Sequence, residues 1–158
     1  MAQISWGKPT IMLGKITSAG TAPTTWVEEF TPVEDSAKLT PTTGDEMKAP
    51  VEGGGLEDYK RKKTTYVFEY EVRKTKGREV KIPSVNGVVA DEYSVQLIPE
   101  DATCPGFLID RSAVSVEDTW SAADGAKWKF TFNVLDATTT GVTDDVAWGT
   151  QTKKTPAE

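Results

Sequence analysis

The chain has 158 residues, 37% hydrophobic and 27% charged, with a formal net charge of −6, one cysteine and no histidine. That length and apolar content describe one modest domain rather than a disordered chain. The missing imidazole excludes a Ser-His-Asp triad, a Cys/His nucleophile pair and a histidine-ligated zinc. The acidic balance opposes nucleic-acid binding by overall field. No apolar run approaches the roughly 20 residues that cross a bilayer, so no membrane partner is expected.

The start, Met1-Ala2-Gln3-Ile4-Ser5-Trp6, lacks the basic region and long apolar stretch of a signal peptide, which predicts a chain made and kept in the cytosol unless it leaves by another route. Residues 1–20 read as an N-terminal arm, with Thr10-Ile11-Met12-Leu13 as a possible first strand. Ser18 to Pro23 is a loop by its small and breaker residues. Thr24 to Phe30 reads as a strand, and Ala37 to Thr42 as a shorter one whose Pro41 places it at an edge.

Residues 44–63 carry three consecutive glycines between an acidic half and a basic half. A stretch this long is either a solvated hairpin tip or an extended hairpin that orders against a partner. The residues that would make the second reading work are Met47, Pro50, Val51, Gly53, Gly54, Gly55, Leu56 and Tyr59.

The clearest signal follows. Tyr66, Phe68, Tyr70 and Val72 alternate with Glu69, Glu71 and Arg73, and Trp128, Phe130, Phe132 and Val134 alternate with Lys127, Lys129, Thr131 and Asn133. A period of two means a strand with one buried and one wet face. Between them, Lys74 to Arg78 is a basic turn, Asn86-Gly87 is a tight-turn signal, and Tyr93, Val95 and Leu97 point inward from a further strand. Phe107 and Ile109 share one parity and Val114 and Val116 the other, which predicts a bulge or bend between Asp110 and Ala113. Ala123-Asp124-Gly125-Ala126 turns into the last strong strand. Any helix is short, with Val80 to Asn86 or a site just after a strand its best place. From residue 137 the polar chain reads as a C-terminal arm, docking through Val146 and Trp148 if it docks at all.

No catalytic, metal or cofactor constellation emerges. Glu28 and Glu29 are neighbours on a strand and point opposite ways, so they do not share a ligand. Asp144-Asp145 lacks the spacing of an EF-hand loop, and Gly53-Gly54-Gly55 lacks the lysine and strand-to-helix setting of a phosphate loop. Cys104 lies in a turn-like sequence and reads as a small apolar residue. Trp6 or Trp148 offers a carbohydrate platform only if exposed.

The order of these segments carries a resemblance. The glycine-rich acidic loop leading into a long alternating strand, then Val88-Val89-Ala90-Asp91-Glu92-Tyr93, Leu97-Ile98-Pro99-Glu100-Asp101, Ser115-Val116-Glu117 and Ala122 through Leu135, resembles the major tail tube proteins of long-tailed bacteriophages and prophages, particularly those of Bacteroides-like gut bacteria. The resemblance covers about residues 20–136, and the long polar C-terminus departs from it.

It implies a mainly β, antiparallel β-sandwich or squashed barrel with a short flanking helix, a long hairpin loop and flexible termini. The tube domain would span 21–136 with its assembly loop at 44–63, and the arms would be 1–20 and 137–158. It implies a non-enzymatic structural subunit without cofactors, forming hexameric rings that stack into a tube. The partners would be its own copies, the tape measure protein and the tail terminator, with DNA passing through without tight binding. The setting would be a virion tail assembled from protein made in the host cytoplasm. Glu69 and Glu71 would mark the lumen face, which the net charge predicts to be acidic. Two other readings stay open: the tube protein of a related contractile secretion system, and a stand-alone β-sandwich ligand-binding module.

Overall fold

A computed structural model of the chain describes residues 4, 7–18 and 20–154. Parts of both expected arms, and Trp6, lie outside these residues. The described chain is antiparallel β-structure in ten strands: β1 (Thr10–Lys15), β2 (Trp26–Glu28), β3 (Lys38–Thr42), β4 (Glu46–Pro50), β5 (Leu56–Arg61), β6 (Thr65–Arg73), β7 (Val88–Ile98), β8 (Gly106–Ser121), β9 (Gly125–Val134) and β10 (Val146–Gly149). One sheet runs β2-β1-β7-β8-β9-β6-β3, with β10 added on β8, and β4-β5 form a separate two-stranded sheet.

The long strand β8 lets a single sheet make two layers. Its first half, Gly106 to Ile109, lies between β7 and β10, and its second half, from Ser112, pairs with β9. Between them is the expected bulge. Tyr93 faces Ser112 and Val95 faces Ile109, so Asp110 and Arg111 together oppose Ser94. The extra residue switches which parity faces inward, from Phe107 and Ile109 to Val114 and Val116, all of them buried. Serine hydroxyls satisfy the displaced carbonyls: Ser94 Oγ donates to the Asp110 carbonyl and Ser112 Oγ to the Tyr93 carbonyl at 2.7 Å. Arg111 holds Glu92 through two bonds, Nε to Oε2 at 2.6 Å and Nη2 to Oε1 at 3.0 Å, which keeps that carboxyl below its ordinary pKa.

The core between the layers is aromatic. Phe68 and Tyr70 of β6 face Phe132 and Phe130 of β9, and all four are fully buried. Phe107 closes on Phe68 from the other layer, edge to face, with ring centroids 5.5 Å apart. Each such aromatic pair contributes about 0.5–1.5 kcal/mol beyond the burial of its area.

A carboxylate lies inside this core. Glu29, 7% exposed, accepts the Tyr70 hydroxyl at 2.8 Å and the Phe30 amide at 2.9 Å. Burial raises its pKa against the pull of those bonds and of Lys81 and Arg78. The adjacent Glu28 points the other way and meets Lys153 at 3.0 Å, as the strand alternation requires.

One expectation needs correction. No described residue is helical, and Val80 to Asn86 is irregular. Pro83 breaks that short segment, while Ile82 is fully buried and plugs the core. Residues 10–15 form β1 between β2 and β7, with Ile11, Met12 and Leu13 buried, which agrees with the reading of Thr10 to Leu13 as a first strand. The C-terminal arm is docked as far as residue 154. β10 pairs with β8, and Gln96 bonds Gln151, Thr152 and the Lys154 amide.

Tyr70→Phe leaves one oxygen of the buried Glu29 without its donor and is expected to lower unfolding free energy by about 1–3 kcal/mol in urea titrations. Because its folded-state pKa is raised, Glu29 contributes stability that is fully present below the ordinary carboxylate value and is lost as pH rises through the raised one. Glu29→Gln should therefore gain stability relative to the wild type as pH goes from acid to neutral; an offset independent of pH would refute this assignment.

Candidate functional site

The residues expected to drive assembly lie together on the β4–β5 hairpin. This hairpin continues the ribbon made by β3 and β6. Lys38 faces Glu69 and Thr42 faces Thr65; three residues further out the Lys62 amide donates to the Asp45 carbonyl at 2.9 Å, and Glu46 faces Arg61 in the same register. Between the two ladders the backbones nearly touch. A Cβ on Gly44 would lie 2.2 Å from the Lys62 carbonyl oxygen, so only glycine fits there.

Every residue of β4 and β5 is exposed, and among the described residues these strands pair only with each other. Met47, Val51, Leu56 and Tyr59 are all exposed to about half of their full extent. Pro50 faces Leu56 across a register shift, and the Val51 amide closes the tip on the Gly55 carbonyl at 2.9 Å. Gly53 (φ 91°) and Gly54 (φ 89°) make the turn in the left-handed region that other residues avoid.

A lone two-stranded hairpin is marginal in water, and polar contacts brace this one at two points. On its outer face the Glu46 carboxylate accepts Tyr59 Oη at 3.1 Å, pairs with Lys48 at 3.2 Å and bonds Arg61, which together lower its pKa. At its root Lys63 bridges Asp136 and Asp145, the latter at 2.6 Å, and both carboxylates raise the lysine pKa. Sequence reasoning did not find this root. Asp145 was weighed as a metal ligand, whereas here it anchors the hairpin and accepts the Ala137 amide.

Glu69 and Glu71 point from the outer face of β6. Glu69 pairs with Lys38 at 3.0 Å and Lys129 at 3.7 Å, and Glu71 with Lys127 at 3.7 Å. Lys38 holds the Glu69 carboxyl below its ordinary pKa. Arg73 and Thr131 share the face, so Glu69 and Glu71 lie among four cations (Lys38, Arg73, Lys127 and Lys129), and the face is not the acidic surface expected from net charge. The cause is local: β9 supplies a lysine opposite or diagonal to each carboxylate.

A groove of about 840 Å³ opens where the two layers part, between the free edge of β3 and the β8–β10 end. Leu39, Phe68, Phe107 and Trp148 line it, and Trp148 is largely exposed, its ring 5.2 Å from that of Phe107.

Comparison with protein-family models and with curated proteins gave no match to this chain.

Gly44→Ala should force the two ladders apart at the joint. Limited trypsin digestion is expected to cut several-fold faster after Lys60, Arg61 or Lys62, with the thermal midpoint of the sandwich unchanged. Unchanged cleavage would show that the joint is not held by the close approach at Gly44.

Proposed function

We propose that this protein is a structural subunit of a tail tube, assembling with its own copies into stacked rings around a conduit for DNA. The observation that carries this reading is the projecting hairpin. Exposed apolar side chains on a ribbon detached from the core are costly for a solitary molecule and useful for one that meets its own kind. The open edge of β3 supports the same reading, because an unpaired edge is a template for a neighbouring strand unless ring closure uses it up. The order of sequence segments agrees with the tail tube resemblance. On this reading the tape measure protein and the tail terminator are further partners.

The outer face of β6 and β9 is the proposed lumen lining, with Glu69 and Glu71 on it. Lysines answer both carboxylates and Arg73 adds a further cation, so this lining does not repel a DNA strand passing along it. This replaces the acidic lining that net charge alone had predicted.

One observation favours a second reading. The groove beside Trp148 has the aromatic lining and size of a small-ligand site, which suits a stand-alone binding module, for instance for glycans.

Negative-stain electron microscopy of the concentrated, purified protein separates the two. Rings or tubes with a central channel are expected. A strict monomer in size-exclusion chromatography whose tryptophan fluorescence shifts with added sugar would replace the tube with the module.

A further inference from the structure

A buried carboxamide on the outer face of the sandwich holds a length of the chain's own backbone. Glu28, Met12, Gln96, Leu108 and Ala147 form one row across β2, β1, β7, β8 and β10. Ile11, Val95, Phe107 and Val146 belong to the aromatic core, so this row, on the opposite parity, faces away from it. Gln96 and Met12 are nevertheless fully buried. After β10 the chain returns over this face. A Cβ on Gly106 would lie 3.1 Å from Gln151 Cγ, so the glycine leaves that side chain its place.

Gln96 spends its whole carboxamide on this segment. Nε2 donates to Gln151 Oε1 at 3.1 Å and to the Thr152 carbonyl at 2.9 Å, and Oε1 accepts the Lys154 amide at 3.2 Å. The carbonyl of one residue and the amide two residues on share a side of an extended chain, so the carboxamide binds this segment as a neighbouring strand would. Two further contacts select side chains. Lys153 Nζ meets Glu28 at 3.0 Å, and Lys154 Nζ lies over the Trp26 ring, 5.8 Å from its centre. The hold at this rim is light: both partners of the ion pair are about half exposed, and such pairs contribute little.

We propose that this strip, Gln96 flanked by Glu28 and Trp26, is a peptide-recognition site for an extended polypeptide segment bearing two successive lysines, and that residues 151–154 are a strap occupying it in cis. Gln96 reads main chain, so the site requires an amide where Lys154 stands and rejects proline there. Glu28 and Trp26 read charge, and both favour a cation. A tethered strap competes at an effective concentration of about millimolar, which closes the site to weak ligands until the strap lifts. The inference is independent of the tube reading, because it concerns one molecule and a short peptide.

A labelled, amidated peptide of residues 149–154, read by fluorescence anisotropy, tests this on the full chain. The strap variant K153E/K154P loses the ion pair, the ring contact and the amide donor. It should bind the peptide about tenfold more tightly than the wild type, whose own strap competes. Adding Q96L should abolish that gain, and a peptide with proline in place of Lys154 should not bind the strap variant. E28K in the strap variant should shift preference to a peptide with glutamate in place of Lys153, which keeps the site testable if Q96L fails to fold. An unchanged thermal midpoint verifies folding of each variant. Equal binding to wild type and strap variant, no binding to the strap variant at millimolar peptide, or binding indifferent to Q96L and E28K overturns the site and leaves the tube reading standing.

Discussion

The rings that interleave between β6 and β9 set the frame for the rest of the molecule. Phe68 and Tyr70 facing Phe132 and Phe130 permit one register, because a slip of β6 by one residue would turn its two buried rings to water and bring Glu69 and Glu71 into the core. That register also fixes β3 against β6, and through the joint at Gly44 it fixes β4 against β5. The hairpin therefore inherits its direction from packing well away from its tip, with Lys63 adding a single clamp at the root.

The core holds polar groups without leaving them unpaired. Glu29 is buried with Tyr70 and the Phe30 amide as donors. Asp110, at the bulge, receives the Thr138 and Thr139 amides at 3.1 and 3.3 Å. That second contact draws the polar segment after β9 back across the fold and delivers β10 to the edge of β8. The bulge thus bends the sheet into two layers and also provides the hook for the C-terminal segment.

Outside the core, exposed apolar groups are unevenly placed. The sandwich buries most of its aromatic residues, while Met47, Val51, Leu56 and Tyr59 of the projecting hairpin stay in water. On the β6–β9 face each carboxylate is answered by a lysine.

Much of the fold was legible in the sequence because strands declare themselves by parity. The alternations at 66–72 and 128–134, the parity switch after Ile109, the edge proline at 41 and the Asn86-Gly87 turn all read directly, each being a local consequence of side-chain direction or backbone freedom. The hairpin residues were also legible, as an apolar and glycine-rich island among charges. What only the tertiary structure decided depends on residues far apart in the chain: Lys63 on Asp145, Lys38 on Glu69, Gln96 under the C-terminal segment, Ile82 as a core plug where a short helix was expected, and the place of β1 between β2 and β7. Period and propensity report how one segment is built. Which segment covers it, and which charge answers its charge, follows from how the layers close on each other, and no window of neighbouring residues contains that information.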